Sequence, residues 1–382
     1  MQNIYYWSPC LNKVGTVKST VNSALSLSRY SQDKFIVKII NICGEWDEYK
    51  DIFKKNNIEV IDLNFNYFKY LPKKGFFQSR FSYIIMILFS IIPLYRLLKK
   101  DKPEFIVLHL LTSLPLLLLN FFRFETNFIL RISGYPKLNF WRKIFWKISS
   151  KKIKKITCPT KDLIEQLQNS EIFEKKDIVY LPDAIINIKD FVSQIKYDSI
   201  NKIVNHKNRY FISVGRLTRQ KNFSYLIDEF FEFSKTNNET DLLIFGDGDQ
   251  KKYLLKKIKK KNLTKRIFLM GHSSKIYSFM KKADAFILSS LWEDPGFVLI
   301  EAALSNLFII SSDCPNGPKE FLQNGKAGFL YESNKKSALK DKLNEFCNLK
   351  DDFKKKKFEA KRNCFDYTMF RHSLFLTKIL CH

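Results

Sequence analysis

The feature that most constrains the fold is an alternation of short apolar runs with longer stretches of helical period, which occurs twice along the chain. In the first half, the predicted strands are residues 4–6, 35–42, 58–63, 105–108, 127–133, 153–158 and 178–180. The predicted helices there are residues 16–30, 81–99 and 161–169. Strands and helices in alternation predict a parallel sheet that is covered by helices on both faces.

The alternation stops between Pro182 and Lys207, where the sequence is polar and has no sustained period. It restarts with predicted strands at residues 210–214, 241–245, 267–270, 285–288, 308–311 and 328–331. We therefore predict an α/β protein with two Rossmann-like parallel-sheet domains that face each other across a cleft. The predicted parts are an N-terminal domain (1–190), a linker (191–207), a C-terminal domain (208–365) and a C-terminal helix (366–382) that could pack back on the first domain.

Composition and charge exclude several classes of protein. The 382 residues are 45% hydrophobic and 15% aromatic, which is too apolar for a disordered chain. Lys and Arg number 65 against 38 Asp and Glu, a net charge of +27, but no zinc-finger, RNA-binding or basic-zipper pattern accompanies this excess, so no nucleic-acid partner is expected. Seven scattered cysteines, with neither metal-ligand nor disulfide-framework spacing, predict a reducing, cytoplasmic environment, and no signal-peptide pattern is evident.

Two apolar segments are candidates for membrane spans, but neither is expected to cross a bilayer. Segment 81–95 is shorter than the ~20 residues that a spanning helix needs and contains Pro93. Segment 105–122 is interrupted by polar residues and is better interpreted as a strand at 105–108 followed by a helix that begins near Thr112 or Ser113.

Two clusters of cations indicate either solvated helix faces or a surface for anionic lipid. Residues 137–155 contain eight basic residues and no acid, and residues 251–266 contain nine and no acid. Within the first cluster, an apolar stripe at helical spacing comprises Trp141, Ile144, Phe145 and Ile148. This 141–148 stripe predicts a peripheral contact with an anionic membrane surface on the cytosolic side, or alternatively burial against the first sheet.

The loops that follow two predicted strands could hold phosphate. The first loop lacks the Gly-x-Gly-x-x-Gly pattern of dinucleotide-binding proteins and has only Gly15 before its helix, which is a weak signal. In the second half, the loop that begins at Gly215 contains Arg216 and Lys221. Two cations at the carboxyl edge of a strand could hold a diphosphate.

A second motif places two carboxylates eight residues apart around a glycine. Glu293 lies in a predicted loop, Gly296 precedes a predicted helix, and Glu301 lies about one turn into that helix. The peptide N–H groups at residues 296–298 are free at the helix start and suit an anion. Carboxylates beside an anion site are unfavourable unless they accept protons from hydroxyl groups, such as those of a ribose and a hexose.

Taken in order, the segments GRLTRQKN, LLIFGDGD, FLMGH, ADAFILSSLWEDPGFVLIEA and SSDCPNGPKEFLQNGKAGFLY resemble family 4 of the retaining glycosyltransferases (glycosyl transferases group 1), which have the GT-B fold. The resemblance covers residues 210–331. It extends more loosely to the first half through VLHLLTSLP, LRISGYP and VYLPDA.

The resemblance implies a role for each matching residue. Arg216 and Lys221 would bind the diphosphate of the donor, Glu301 the ribose, and Glu293 the transferred sugar. The remaining donor-side residues would be Gly15, Gly246, Met270, Gly271, Gly296, Phe297 and Val298. His109 and Arg131 would face the reaction centre from the first, acceptor-side domain, giving His109, Arg131 and Glu293 as the catalytic set.

The resemblance also implies substrates and partners. The donor would be a UDP- or GDP-linked sugar, and the acceptor would be a lipid-linked or surface-polysaccharide hydroxyl, as in lipopolysaccharide synthesis. No cofactor and no metal are expected. Asp247 and Asp249 resemble a metal-binding pair, but the family uses this loop for its backbone.

Several alternatives stay open. His109 could be a satisfied core histidine, and Arg131 could pair with a structural carboxylate. The sequence also departs from the commonest family pattern, with one glycine in the first loop and Asp294 where glycine is frequent. The alternatives for the whole protein are a sugar-nucleotide epimerase of the same fold and a non-catalytic, basic peripheral membrane protein.

Overall fold

Two parallel sheets form the cores of two separate units in the computed structural model. The structure describes residues 1–10, 15–63, 76–195, 209–349 and 353–381, without the side chains of 76–80 and 194–195. Unit 1 comprises Met1–Ile185 and Thr368–His382, and unit 2 comprises Ile186–Tyr367.

Unit 1 contains a seven-stranded sheet with the order β3-β2-β1-β4-β5-β6-β7, and each neighbouring pair is parallel. Its strands are β1 (Gln2–Trp7), β2 (Phe35–Asn41), β3 (Glu59–Asp62), β4 (Phe105–Leu108), β5 (Asn127–Arg131), β6 (Ile153–Cys158) and β7 (Ile178–Tyr180). Most are continuous apolar runs because helices bury both faces of the sheet.

The helices of unit 1 form two layers. They are α1 (Gly15–Tyr30), α2 (Lys50–Lys54), α3 (Phe76–Asp101), α4 (Ser113–Phe121), α5 (Phe140–Ser150), α6 (Lys161–Asn169) and, from the end of the chain, α15 (Met369–Cys381). Helices α3 to α6 share one core with Trp7 and Leu108 of the sheet. Helices α1, α2 and α15 pack on the other face, where α15 lies against α1.

Unit 2 contains a six-stranded parallel sheet with the order β10-β9-β8-β11-β12-β13. Its strands are β8 (Arg209–Val214), β9 (Thr240–Phe245), β10 (Ile267–Gly271), β11 (Ala285–Leu288), β12 (Phe308–Ser312) and β13 (Phe329–Tyr331). Its helices are α7 (Ile188–Ile195), α8 (Phe223–Ser234), α9 (Lys251–Lys260), α10 (Ile276–Lys282), α11 (Phe297–Leu304), α12 (Pro318–Phe321), α13 (Ala338–Asn348) and α14 (Lys354–Asn363). The strand order runs in one direction from β8 to β10 and in the other from β11 to β13. The loops after β8 and β11 therefore lead to opposite sides, and parallel sheets bind ligands at such a point.

These two parallel sheets confirm the predicted fold class, and the predicted strands agree with the observed ones to within two residues at each end. Helices α2 and α7 were missed. Helix α7 occupies residues 188–195, where a linker was predicted to begin at 191, and the rest of that predicted linker (196–207) lies outside the described residues. Phe191 of α7 packs edge-on against Tyr277 at 5.0 Å between ring centroids.

Helix α3 continues through Pro93, as the predicted helix at residues 81–99 did, and it is longer at both ends. Leu94 and Leu98, which follow Pro93, are buried in the core. Within the described residues, the segment Phe81–Asp101 is long and apolar enough, with a mean hydropathy of 1.9, to cross a membrane by length and composition. This segment is longer than the 81–95 segment that was judged too short, while the expectation that it does not cross a bilayer stays a prediction.

Candidate functional site

Three loops meet at the carboxyl edge of the sheet in unit 2. Gly215 follows β8 and donates its N–H to the carbonyl of Phe245 at 2.9 Å. Gly246 follows β9 and donates its N–H to the carbonyl of Gly271 at 2.8 Å. Backbone hydrogen bonds thus join the ends of β8, β9 and β10, where Gly215, Gly246 and Gly271 lie.

Gly246 is required where two of these loops touch. Its φ is +133°, and a Cβ added there would lie 1.9 Å from the carbonyl oxygen of Gly215. Neither the backbone angle nor the space accepts a side chain. This contact fixes how close the loops after β8 and β9 approach each other.

Lys221 and Glu293 form a shielded ion pair at this edge. The Lys221 Nζ lies 2.6 Å from Glu293 Oε1, and the two side chains are only 14% and 4% exposed. The Ser290 hydroxyl donates to the same carboxylate oxygen, and the Glu293 N–H donates to the carbonyl of Pro315. The family resemblance implied that Lys221 binds the diphosphate and Glu293 the sugar, and the structure places these two side chains in contact.

The N-terminus of α11 opens directly after this pair. Gly296 has a φ of +94°, and a Cβ added there would lie 3.5 Å from the Glu293 Cγ. The N–H groups of Phe297 and Val298 are in the first turn of α11, where helix geometry leaves them without intrahelical acceptors. Since such a terminus carries a partial positive charge, this edge has two independent sources of anion affinity.

Glu301 lies one turn further along α11, partly exposed, and accepts a hydrogen bond from the Tyr277 hydroxyl at 3.1 Å. Burial, followed by the charge of Glu301, raises the pKa of Tyr277 well above its usual value, so this hydroxyl stays a donor. The carboxylate is therefore oriented while remaining accessible.

The other predicted donor-side residues of unit 2 lie on the same edge. Arg216 is exposed directly after Gly215 and makes no ion pair within the described part of the chain. Met270 and Gly271 end β10 and are partly exposed.

Asp294 is the sequence's departure from the family pattern, and its environment is unusual. Burial, followed by the negative charge of Glu293, raises its pKa to about 7, although Lys221 and a hydrogen bond with Asn316 oppose the shift. Its charge therefore changes near neutral pH.

In unit 1, His109 directly follows β4 and is buried. Its Nδ1 contacts the Thr20 hydroxyl at 2.9 Å, and its Nε2 contacts the Ser133 hydroxyl. Burial, followed by the charge of Arg131, holds the pKa of His109 well below its usual value, so the ring is neutral. This satisfied geometry agrees with the alternative of a core histidine, and a catalytic role for His109 stays a prediction.

Arg131, at the end of β5, is also buried. Its guanidinium pairs with Asp183 and contacts the Ser19 hydroxyl at 3.3 Å. The structure therefore agrees with the alternative that Arg131 pairs with a structural carboxylate, here that of Asp183. Gly15, the remaining predicted residue in this unit, is exposed and begins α1.

A cavity of about 680 Å³ in unit 1 adjoins His109. It reaches from the end of β4 to the first turns of α5, and Trp141, Arg142, Phe145 and Trp146 line its far side. Aromatic faces beside one cation and one polar ring suit a ligand with an apolar and an anionic part.

Sequence reasoning missed the residues that orient the predicted ones. These are Tyr277 beside Glu301, Ser290 beside Glu293, Asp183 beside Arg131, and Gly317. Gly317 has a φ of +134°, and a Cβ there would lie 2.1 Å from the carbonyl oxygen of Pro295, so it lets the next loop support the Glu293 loop. Only Gly317 could have been found from the sequence, since it precedes Pro318 at a helix start.

Residues 196–363 match the family model described as glycosyl transferases group 1. The match covers the loops that hold Arg216, Lys221, Glu293 and Glu301, so this edge of the sheet in unit 2 lies within the matched residues.

Two relatives show how far the likeness extends. The chain is 30% identical over 244 residues to an uncharacterized glycosyltransferase of Methanocaldococcus jannaschii, which is 59% of this chain and 60% of that protein. It is 29% identical over 273 residues to the UDP-Gal:alpha-D-GlcNAc-diphosphoundecaprenol alpha-1,3-galactosyltransferase of Escherichia coli, which is 64% of this chain and 66% of that protein. Each match therefore spans less than two thirds of the relative's own length.

A solved structure extends the likeness in fold to the whole chain. The glycosyltransferase of Rickettsia africae superposes with a TM-score of 0.76, covering 99% of this chain and 97% of that one at 16% identity. The likeness to the GT-B fold therefore includes the Rossmann-like sheets of both units.

Proposed function

We propose that the chain is a retaining glycosyltransferase of family 4 that moves a sugar from a nucleotide-diphosphate donor to an acceptor hydroxyl. The observation that carries this proposal is the Lys221–Glu293 ion pair beside the N-terminus of α11, with Glu301 one turn away. Cations and free N–H groups suit a diphosphate, and the adjacent carboxylates suit sugar hydroxyls. A UDP- or GDP-linked sugar offers both groups at this spacing.

The proposed reaction needs no nucleophile from the protein. The bond between the anomeric carbon and the diphosphate oxygen breaks while Arg216, Lys221 and the α11 N-terminus stabilise the departing charge. The acceptor oxygen forms the new bond on the same face of the sugar, and its proton passes to the departing phosphate oxygen. Preorganised donors of this kind each contribute about 3 kcal/mol to the transition state.

The acceptor is proposed to be a lipid-linked or surface-polysaccharide glycan. The name of the Escherichia coli relative specifies a diphosphoundecaprenol-linked acceptor and a UDP-linked donor. The cavity beside His109 supports the same class of acceptor here, because Arg142 could contact a phosphate while Trp141 and Phe145 contact an apolar chain. We place the reaction on the cytosolic face of the membrane, where both substrates would be accessible.

A sugar-nucleotide epimerase of the same fold is the second candidate. It would use the same diphosphate-binding edge but would return a nucleotide sugar rather than release a nucleoside diphosphate. The two reactions are therefore distinguished by their products.

The test is an incubation of the purified chain with a panel of UDP- and GDP-linked sugars and a diphosphoprenol-linked acceptor. The proposal predicts nucleoside diphosphate release together with a glycosylated lipid whose new linkage keeps the donor's anomeric configuration by NMR. Inverted configuration would contradict the retaining mechanism. A changed nucleotide sugar without release would instead indicate an epimerase.

A further inference from the structure

Helix α3 exposes a stripe of large apolar side chains along most of its length. Phe81, Ile84, Leu88 and Ile92 are 60%, 54%, 59% and 59% exposed, and they recur every three or four residues along one face. We call these four residues the α3 stripe. Soluble surfaces rarely carry a contiguous apolar patch of this extent without a partner.

The opposite face of α3 is firmly packed. Ser82, Met86, Ser90, Leu94 and Leu98 are all at most 1% exposed, and the apolar three belong to the core of unit 1. The helix therefore lies lengthwise on the sheet. A helix held in this way cannot cross a bilayer without losing its packing against the core of unit 1.

The neighbouring helices continue the apolar surface. Helices α4 and α5 pack beside α3 on the same core, and their outward side chains include Phe121 (75% exposed), Trp141 (76%) and Ile148 (55%). The 141–148 stripe is thus mostly exposed, since only Phe145 packs against the core. We call the α3 stripe together with these three residues the outer face.

The charge around the outer face has one sign. Helices α3, α4 and α5 together contain seven basic residues and one acid, Asp101, which accepts a hydrogen bond from Tyr5. Arg96 is exposed one turn after Ile92. Apolar side chains with flanking cations fit the headgroup region of an anionic bilayer, whereas a protein partner would have to supply its own matching acids.

We propose that the outer face docks on an anionic lipid bilayer, with α3 lying in the plane of the membrane rather than crossing it. The α3 stripe enters the boundary between headgroups and acyl chains, and the cations contact lipid phosphates. This inference goes beyond the proposed catalytic function, because binding to lipid needs neither donor nor acceptor and can be measured without any turnover.

The test is flotation of the full chain with vesicles of phosphatidylcholine alone or mixed with phosphatidylglycerol, at low and high salt. The test variant is Leu88→Glu with Ile92→Glu, and the matched control is Ile52→Glu, which changes a 42% exposed residue of α2 in the other helix layer. We expect the wild type and the control to float with anionic vesicles and to be released by salt. The double variant should bind at least about tenfold more weakly at an unchanged melting temperature.

Three results would overturn the inference. They are no flotation of the wild type, equal flotation of the double variant, and release only by detergent, which indicates a spanning helix. If the double variant does not fold, Ile84→Gln is used in its place. It is again expected to bind anionic vesicles at least about tenfold more weakly than the wild type.

Discussion

At Asp294, burial and the neighbouring charge of Glu293 raise the pKa of a carboxyl group to about 7. The native protein therefore binds this proton more tightly than the unfolded chain, whose aspartates titrate near pH 4. Consequently, the contribution of Asp294 to the free energy of unfolding is fully present below about pH 4 and is lost as the pH rises to about 7. Asp294→Asn mimics the protonated form and removes this loss.

We expect the melting temperature of Asp294→Asn, relative to wild type, to be higher at pH 8 than at pH 5. Thermal unfolding at the two pH values measures this difference, with Asp51→Asn on the exposed side of α2 as the control. An equal difference at both pH values would show that Asp294 is not held in its protonated form.

Single residues also show where sequence reasoning ends. The types and loops of Lys221 and Glu293 were predicted, because each motif alone suits an anion or a hydroxyl. The ion pair between Lys221 and Glu293 was not predicted, because the two residues are 72 positions apart and only the pairing of β8 with β11 brings them together. For the same reason, the sequence left two interpretations of Arg131 open. Its partner Asp183 lies 52 residues away, and nothing local distinguishes a catalytic arginine from one that is buried in a pair.

Among the structural elements, the loops after β8 and β9 depend on the backbone contact at Gly246. An alanine there would need a φ of +133° and would place its Cβ 1.9 Å from the Gly215 carbonyl. We expect Gly246→Ala to lower the free energy of unfolding by more than about 3 kcal/mol and to weaken nucleotide binding, as measured by denaturation and calorimetry.

Gly325→Ala is the matched control for this prediction. Gly325 has a comparable φ of +94°, but no atom lies within 4 Å of its added Cβ. Gly325→Ala should therefore lower the free energy of unfolding by only about 1 kcal/mol, which is the cost of the left-handed backbone conformation. Equal losses for the two variants would mean that the close approach of the loops is unimportant.

The elements themselves were largely predictable, because buried parallel strands are continuous apolar runs with turn residues after them. Helix α7 was missed because Phe191 packs against Tyr277, which is distant in sequence. Helix α3 was predicted at residues 81–99 and extends by a few residues at each end, to Phe76–Asp101.

On the scale of the whole molecule, we propose that protein groups alone neutralise the charge of the diphosphate. These groups would be Arg216, Lys221 and the α11 N-terminus, while Asp247 is exposed and pairs with Lys251 at 3.7 Å. We therefore expect transfer to persist in excess EDTA. Loss of activity that Mg²⁺ restores would contradict this and would return Asp247 and Asp249 to consideration as metal ligands.

The same assignment predicts the effect of removing one cation. Arg216→Ala should lower kcat/KM by about 10- to 100-fold, as expected for one charge-assisted contact, while the fold persists because the side chain is exposed. Arg219→Ala, an exposed arginine of the same loop, is the control and should leave kcat/KM unchanged. Equal effects of the two variants would indicate only a general loss of positive charge.

The most direct test of the central claim is calorimetric binding of UDP and GDP to wild type, Glu301→Gln and the control Glu345→Gln on α13. Glu301 lies one turn inside α11 and is oriented by Tyr277 at 3.1 Å, so its carboxylate should bind the ribose hydroxyls. We predict that Glu301→Gln weakens binding of the preferred nucleotide by about 10- to 100-fold, equivalent to about 1.5–3 kcal/mol, and abolishes transfer, while the control matches wild type. Unchanged nucleotide affinity in Glu301→Gln would contradict the assignment of this edge as the donor site.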